Sequence, residues 1–156
     1  MKKIILLFVL VISMITAFSQ VSQIDSRLYA KYSEEELLDM QQNRPADLEY
    51  INWFVENSYV IKEVANPDAL NYPKLKYMDK DTKMEGSEVT EFDAATFNIM
   101  EYGFEIAAKS SNVYMIGNTG KILVFYSSDD LTKLFNEYRR KRYENLTCCP
   151  SAVYRT

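Results

Sequence analysis

The pattern that most limits the fold of this chain is a pair of β-rich runs around the tetrapeptide Gly117-Asn118-Thr119-Gly120. Residues 113–116 and 122–126 are rich in β-branched and aromatic side chains. Asparagine and glycine between two such runs predict an antiparallel hairpin, with Gly120 in the left-handed region. The second run is apolar on both faces, which is typical of an inner strand covered on each side. The chain is therefore expected to form a sheet with other elements packed on it.

Two helices are predicted before this hairpin. Ser33 and Glu36 form a capping box, which predicts a helix over 34–42. Pro45 ends this helix, because the residue before a proline avoids the α region, and it suits the first position of a second helix over 45–56. The residues expected on the apolar faces of the two helices are Leu37, Leu38, Leu48, Tyr50, Ile51, Trp53, Phe54 and Val55.

The remaining elements complete a mixed fold. Residues 59–64 and 72–78 have strand patterns, 79–91 is expected to be an exposed loop, and 94–100 a short helical turn. Residues 127–130 cap a C-terminal helix. Its expected buried stripe is Leu131, Leu134, Phe135 and Tyr138. This order predicts an α+β fold with an N-terminal helical hairpin, an antiparallel sheet of about four to five strands and a C-terminal helix packed on that sheet.

The first nineteen residues have the pattern of a secretory signal peptide. Lys2 and Lys3 precede an apolar run over 4–18, and Ala17 and Ser19 supply the small residues of a cleavage site. The alternative is an uncleaved anchor, although the run is shorter than the ~20 residues of a usual transmembrane helix. The compact leader is bacterial in style. We therefore expect an exported protein, periplasmic or secreted, without a membrane span after cleavage.

This cleavage defines the predicted domain organisation. Residues 1–19 are the signal peptide, 20–32 a flexible leader, 33–145 a single α+β domain and 146–156 a C-terminal tail. The mature chain then has 137 residues, enough to bury a core without disulfides. It keeps 16 basic and 22 acidic side chains, a net charge of −6, which argues against nucleic-acid binding.

Composition excludes several chemistries. The 156 residues include no histidine and two cysteines, so histidine-based catalysis and four-cysteine zinc sites are impossible. No phosphate loop, dinucleotide fingerprint, S-x-x-K or G-x-S-x-G motif occurs. Residues 79–86 resemble a calcium loop, but Lys83 stands where a ligand should be. No metal or cofactor is expected, and an enzyme is less favoured than a binding protein.

Two groups of residues are candidates for contacting a ligand or partner. Trp53, Tyr59 and Tyr126 could line a pocket between the helical hairpin and the sheet, or form the rim of a small core. The second group is a basic run at the end of the last helix, which either meets an acidic partner or stabilises the helix dipole. It consists of Arg139, Arg140, Lys141 and Arg142.

Cys148 and Cys149 are adjacent and precede Pro150. They could remain inert thiols, form intermolecular disulfides, close a strained ring with each other or act as a redox couple.

These features give three hypotheses for function. The first is a non-catalytic binding or structural module of the bacterial envelope that acts through protein–protein contacts. The second is a module that binds a small ligand, a sugar or a lipid. The third is a small hydrolase that uses carboxylates or a Ser–Lys pair.

Overall fold

The computed structural model describes residues 23–147, without the side chains of Asp68 and residues 145–147. Within that range the chain is α+β, as predicted. The helices are α1 (Glu34–Asn43), α2 (Pro45–Asn57) and α3 (Ser128–Thr147). The strands are β1 (Tyr59–Glu63), β2 (Lys76–Met78), β3 (Glu85–Glu88), β4 (Tyr102–Gly103), β5 (Asn112–Ile116) and β6 (Lys121–Phe125). The predicted signal peptide lies outside the described residues.

The caps predicted for α1 are confirmed. The Ser33 N–H donates to Glu36 Oε2 at 2.8 Å, and the Glu36 N–H donates to Ser33 Oγ at 3.2 Å. Leu37 is fully buried, but Leu38 is 40% exposed, so the prediction that both are buried is wrong for Leu38. Successive helical residues point about 100° apart, and α1 buries only one narrow face.

The chain divides into two compact units, one ending at Asn52 and the other beginning at Trp53, inside α2. In the first unit, residues 23–32 of the predicted leader contain a 3-10 helix over Ser26–Ala30. The Asp25 N–H donates to Asn52 Oδ1 at 3.0 Å, and Leu28 is fully buried. This part of the predicted leader therefore holds secondary structure.

The second unit contains two small antiparallel sheets, ordered β1-β6-β5 and β3-β2-β4. The predicted hairpin joins β5 to β6, and β6 is the inner strand, as its two apolar faces indicate. Gly117 and Gly120 both have positive φ, 54° and 70°.

The expected single sheet of four to five strands is thus replaced by two sheets of three. The segment before β2 touches the first sheet only briefly: the Leu75 N–H donates to Met115 O at 2.7 Å, and the Met115 N–H to Pro73 O at 2.8 Å. β2 then pairs with β3 and β4 instead. Because β3 and β4 occupy both edges of β2, this strand cannot also extend the first sheet.

Strand β3 lies where an exposed loop is expected. All four of its residues are exposed, and ion pairs link it to the β2 segment, Lys76–Glu85 at 2.8 Å and Lys74–Glu88 at 2.9 Å. Because β3 buries no side chain, its sequence has none of the apolar alternation that marks a strand. The helical segment expected over 94–100 is only a turn over 94–96 and a 3-10 helix over Ile99–Glu101.

Aromatic rings fill the core of the second unit around the fully buried Phe125. Its ring centroid lies 4.3 Å from that of Phe104, 6.1 Å from Tyr59 and 6.3 Å from Tyr114. Phe97 packs edge-on against Tyr59 at 5.5 Å. The start of β1 therefore lies directly beside the core.

Helix α3 is capped as predicted, since the Asp130 N–H donates to Ser127 Oγ at 3.1 Å. Its buried stripe is narrower than predicted. Leu131 is buried, Phe135 is half-buried, and Leu134 and Tyr138 are 37% and 36% exposed. The two exposed members of the stripe, Leu134 and Tyr138, line an open groove.

Candidate binding groove

The three candidate aromatic residues lie together in one open groove of the second unit. Its volume is about 440 Å³. Trp53, Tyr59 and Tyr126 line it, as does Lys141 from the basic run. The other lining residues are Glu56, Asn57, Val60, Leu134, Glu137 and Tyr138.

Aromatic packing holds Trp53 at the base of the groove. Its ring centroid lies 5.2 Å from that of Phe135 and 6.4 Å from that of Tyr138. The Phe135 and Tyr138 rings stack at 6.0 Å with an angle of 18° between their planes. Trp53 is almost completely buried, whereas Tyr138 is partly exposed. The wall on α3 is thus a set of preordered rings, which lose little side-chain entropy on binding.

The junction of α2 and β1 positions the opposite wall. The Ser58 N–H donates to Phe54 O at 3.1 Å and ends α2, and the Tyr126 N–H donates to Ser58 O at 3.0 Å. Asn57 Nδ2 also donates to Trp53 O at 2.7 Å. These bonds fix Tyr59 and Tyr126 at the end of the β1–β6 ladder, so backbone geometry sets the width of the groove.

Charges of both signs flank the aromatic surface. Glu137 Oε1 lies 2.8 Å from Lys141 Nζ. The hydrogen bond and charge of Lys141, together with the charge of Arg140, hold the pKa of Glu137 below its ordinary value. Glu56 is exposed at the same groove. Two carboxylates and one ammonium group therefore lie along the groove.

The basic run does not form a patch. Consecutive helical residues point about 100° apart, so its four members surround α3. Arg140 pairs with Glu144 at 3.9 Å, Arg142 donates to the Tyr138 hydroxyl at 3.3 Å, and Arg139 lies 5.9 Å from the Phe135 ring centroid. Lys141 alone of the four lines the groove. Helix α3 continues to Thr147 and has no basic residue in its last turn, so the run does not lie where it would stabilise the helix dipole. The structure therefore supports neither a single basic patch nor a helix-end role for these four residues.

Sequence reasoning missed several groove residues, among them Val60 and Glu137. The signal was present on α3, where Leu134, Glu137, Tyr138 and Lys141 recur at helical spacing and share one face. The predicted buried stripe of α3 includes Leu134 and Tyr138, and this assignment to the core concealed the groove face.

Other candidate chemistry finds little support in residues 23–147. In that range no group of three or more acidic or cysteine side chains could hold a metal ion. In the calcium-like loop, Asp79 Oδ1 instead accepts from the Thr82 N–H at 2.7 Å and the Asp81 N–H at 3.1 Å. Cys148 and Cys149 lie outside the described residues. A second depression lies along α1 alone, where Leu38 is surrounded by polar and acidic side chains.

In the described part of the chain, no helix is long and apolar enough to cross a membrane. No protein-family model, curated protein or solved structure matches this chain.

Proposed function

We propose that this chain is an exported, non-catalytic binding module of the bacterial envelope, periplasmic or secreted, and that the groove is its contact surface for a protein partner. One observation carries the proposal: four aromatic side chains from α2, β1, α3 and the end of β6 converge on a single open groove. Tyrosine and tryptophan are enriched at protein interfaces, where they combine a large apolar area with a polar tip.

The shape of the groove suggests the chemistry of the partner. An open groove suits a chain segment that lies along it, with an apolar side chain against Trp53 and Tyr138. The carboxylate of Glu137 is already held by Lys141, which supports a binding role over acid–base catalysis.

A small ligand is the second candidate. A volume of about 440 Å³ falls within the range of small-molecule sites, roughly 300–1,000 Å³. The exposed Tyr138 ring offers a face on which a sugar can stack.

Site-specific photocrosslinking distinguishes these functions. A photoreactive residue at Tyr138 in the full chain, expressed in a host that exports it, should give an adduct of protein mass. Tyr143 is the matched control, since it is exposed on the same helix but does not line the groove. The adduct should disappear with Tyr126→Ala.

Equal labelling at Tyr143, or no protein adduct at Tyr138, would contradict protein binding through the groove. A retained sugar or lipid in native mass spectrometry of the same protein, lost with Tyr126→Ala, would favour the small-ligand function instead.

We also propose a finer feature of the fold, the packing of α3 on the first sheet. The burial of Leu131 at the start of that helix supports it.

A further inference from the structure

Strand β1 lies at the edge of the first sheet, and within that sheet it pairs only with β6. Two hydrogen bonds fix which backbone groups serve this pairing. The Tyr126 N–H donates to Ser58 O at 3.0 Å, and the Val64 N–H donates to Gly120 O at 2.9 Å. Backbone groups of an antiparallel strand alternate in direction. The even-numbered residues of β1 therefore face β6, and the odd-numbered residues face outward.

The outward side of β1 is centred on Ile61. Among the described residues, no backbone group is hydrogen-bonded to the outward N–H and C=O of Ile61 or Glu63. The Glu63 side chain is 83% exposed, so this end of the edge is open to solvent. β1 contains no proline, and its register with β6 is regular over all five residues. It lacks a bulge or proline, and its two charged residues, Lys62 and Glu63, lie at one end only.

The other sheet edges in residues 23–147 are less suited to pairing. Residues 73–75 already bond to the outer side of β5 at Met115. β4 has two residues, and all four residues of β3 are exposed, two of them glutamates. β1 therefore offers the longest apolar edge.

We propose that the β1 edge pairs with the β1 edge of a second copy of this chain. The pairing is antiparallel about a two-fold axis at Ile61 and makes one six-stranded sheet from two three-stranded sheets. The two Ile61 residues exchange their outward N–H···O=C bonds. A closed two-fold interface uses the same edge in both copies, so the assembly stops at a dimer.

The side chains of β1 are complementary to themselves in this register. Ile61 meets Ile61, Glu63 faces Tyr59, and Lys62 faces Val60, so no charge directly opposes a like charge. Ile61 also lies opposite the fully buried Leu123 on β6. The apolar face of the sheet therefore continues from one copy into the other.

The test uses sedimentation velocity of the full exported chain over a wide range of protein concentration, with amide hydrogen exchange on the same samples. We expect a monomer–dimer equilibrium in which protection of the Ile61 amide rises with protein concentration. Ile61→Pro should weaken the dimer by more than about tenfold, because proline removes the outward N–H that the second copy needs. That N–H makes no bond to β6, so the folded monomer should remain.

Two further variants keep the proposal testable if the proline variant does not fold. Ile61→Val keeps the N–H and should keep the dimer, whereas Ile61→Lys places like charges on the two-fold axis and should abolish it. A monomer at every concentration, or a dimer in which the Ile61 amide stays unprotected, would overturn the proposal. So would a dimer that survives both Ile61→Pro and Ile61→Lys in folded protein.

Discussion

Gly117 and Gly120 have the same left-handed backbone conformation but very different surroundings. A Cβ atom at Gly117 would lie 2.5 Å from Val89 O and 3.0 Å from Thr90 O. A Cβ atom at Gly120 would meet only Val64 O, at 3.9 Å. Comparing substitutions at these two glycines therefore separates the free-energy cost of the left-handed conformation from the cost of a steric clash.

Gly117→Ala should lower the free energy of unfolding by about 3 kcal/mol, because it adds a backbone clash to the conformational penalty. Gly120→Ala is the control and should cost about 1 kcal/mol for the conformation alone. Urea unfolding followed by the fluorescence of Trp53 measures both. An equal decrease in the free energy of unfolding for the two variants would show that Val89 O does not exclude a Cβ atom at position 117.

Asp130 should make the stability of α3 depend on pH. The Ser127 hydroxyl and Lys133 hold the pKa of this carboxyl below its ordinary value of 3.8. A lowered pKa in the folded state stabilises the protein above the unfolded value, and the contribution is lost as the pH falls through the folded value. The melting temperatures of the native protein and Asp130→Asn should therefore converge as the pH falls from about 7 to about 2. A difference that stays constant would contradict this assignment.

At the scale of elements, α3 provides a matched pair of leucines one turn apart. Leu131 is 1% exposed and Leu134 is 37% exposed, although the sequence places both on the buried stripe. Leu131→Ala should cost about 2–4 kcal/mol, and Leu134→Ala less than about 1 kcal/mol. Chemical denaturation of the two variants measures this difference. Comparable losses would mean that Leu134 belongs to the core rather than to the groove wall.

The elements that sequence could predict are those with a strong local cause. The capping box of Ser33, the proline that opens α2 and the glycine turn between β5 and β6 each act over a few residues. β3 could not be predicted, because it buries no side chain and its pairing with β2 arises only in the folded chain. The division into two sheets likewise depends on where the short strand β2 finds partners.

The groove was only partly predictable for the same reason. Trp53, Tyr59 and Tyr126 are recognisable as large amphipathic side chains, and the structure brings all three together. Glu137 and Tyr138 come from a helix about 80 residues beyond Trp53 and Tyr59 in the chain. Its amphipathic pattern does not show which part of the stripe remains exposed.

At the scale of the whole molecule, both proposed contact surfaces belong to the second unit, and β1 contributes to each. Val60 lines the groove, whereas the next residue, Ile61, has its side chain on the other face of the strand and its backbone groups on the outer edge. The groove contacts its partner through side chains, and the edge pairs through main-chain hydrogen bonds. Tyr59 and Val60 contribute to both surfaces, but Tyr126 and Ile61 each belong to only one.

This separation predicts that the two surfaces fail independently. Tyr126→Ala should abolish the Tyr138 photocrosslink and leave the dimer unchanged, because Tyr126 contributes no outward bond of β1. Ile61→Pro should abolish the dimer and keep the photocrosslink, because Ile61 does not line the groove. Sedimentation velocity and photocrosslinking of each variant show whether it loses the dimer, the photocrosslink, both or neither. If either substitution removed both properties in folded protein, the groove and the β1 edge would form one continuous interface, with the second copy as the occupant of the groove.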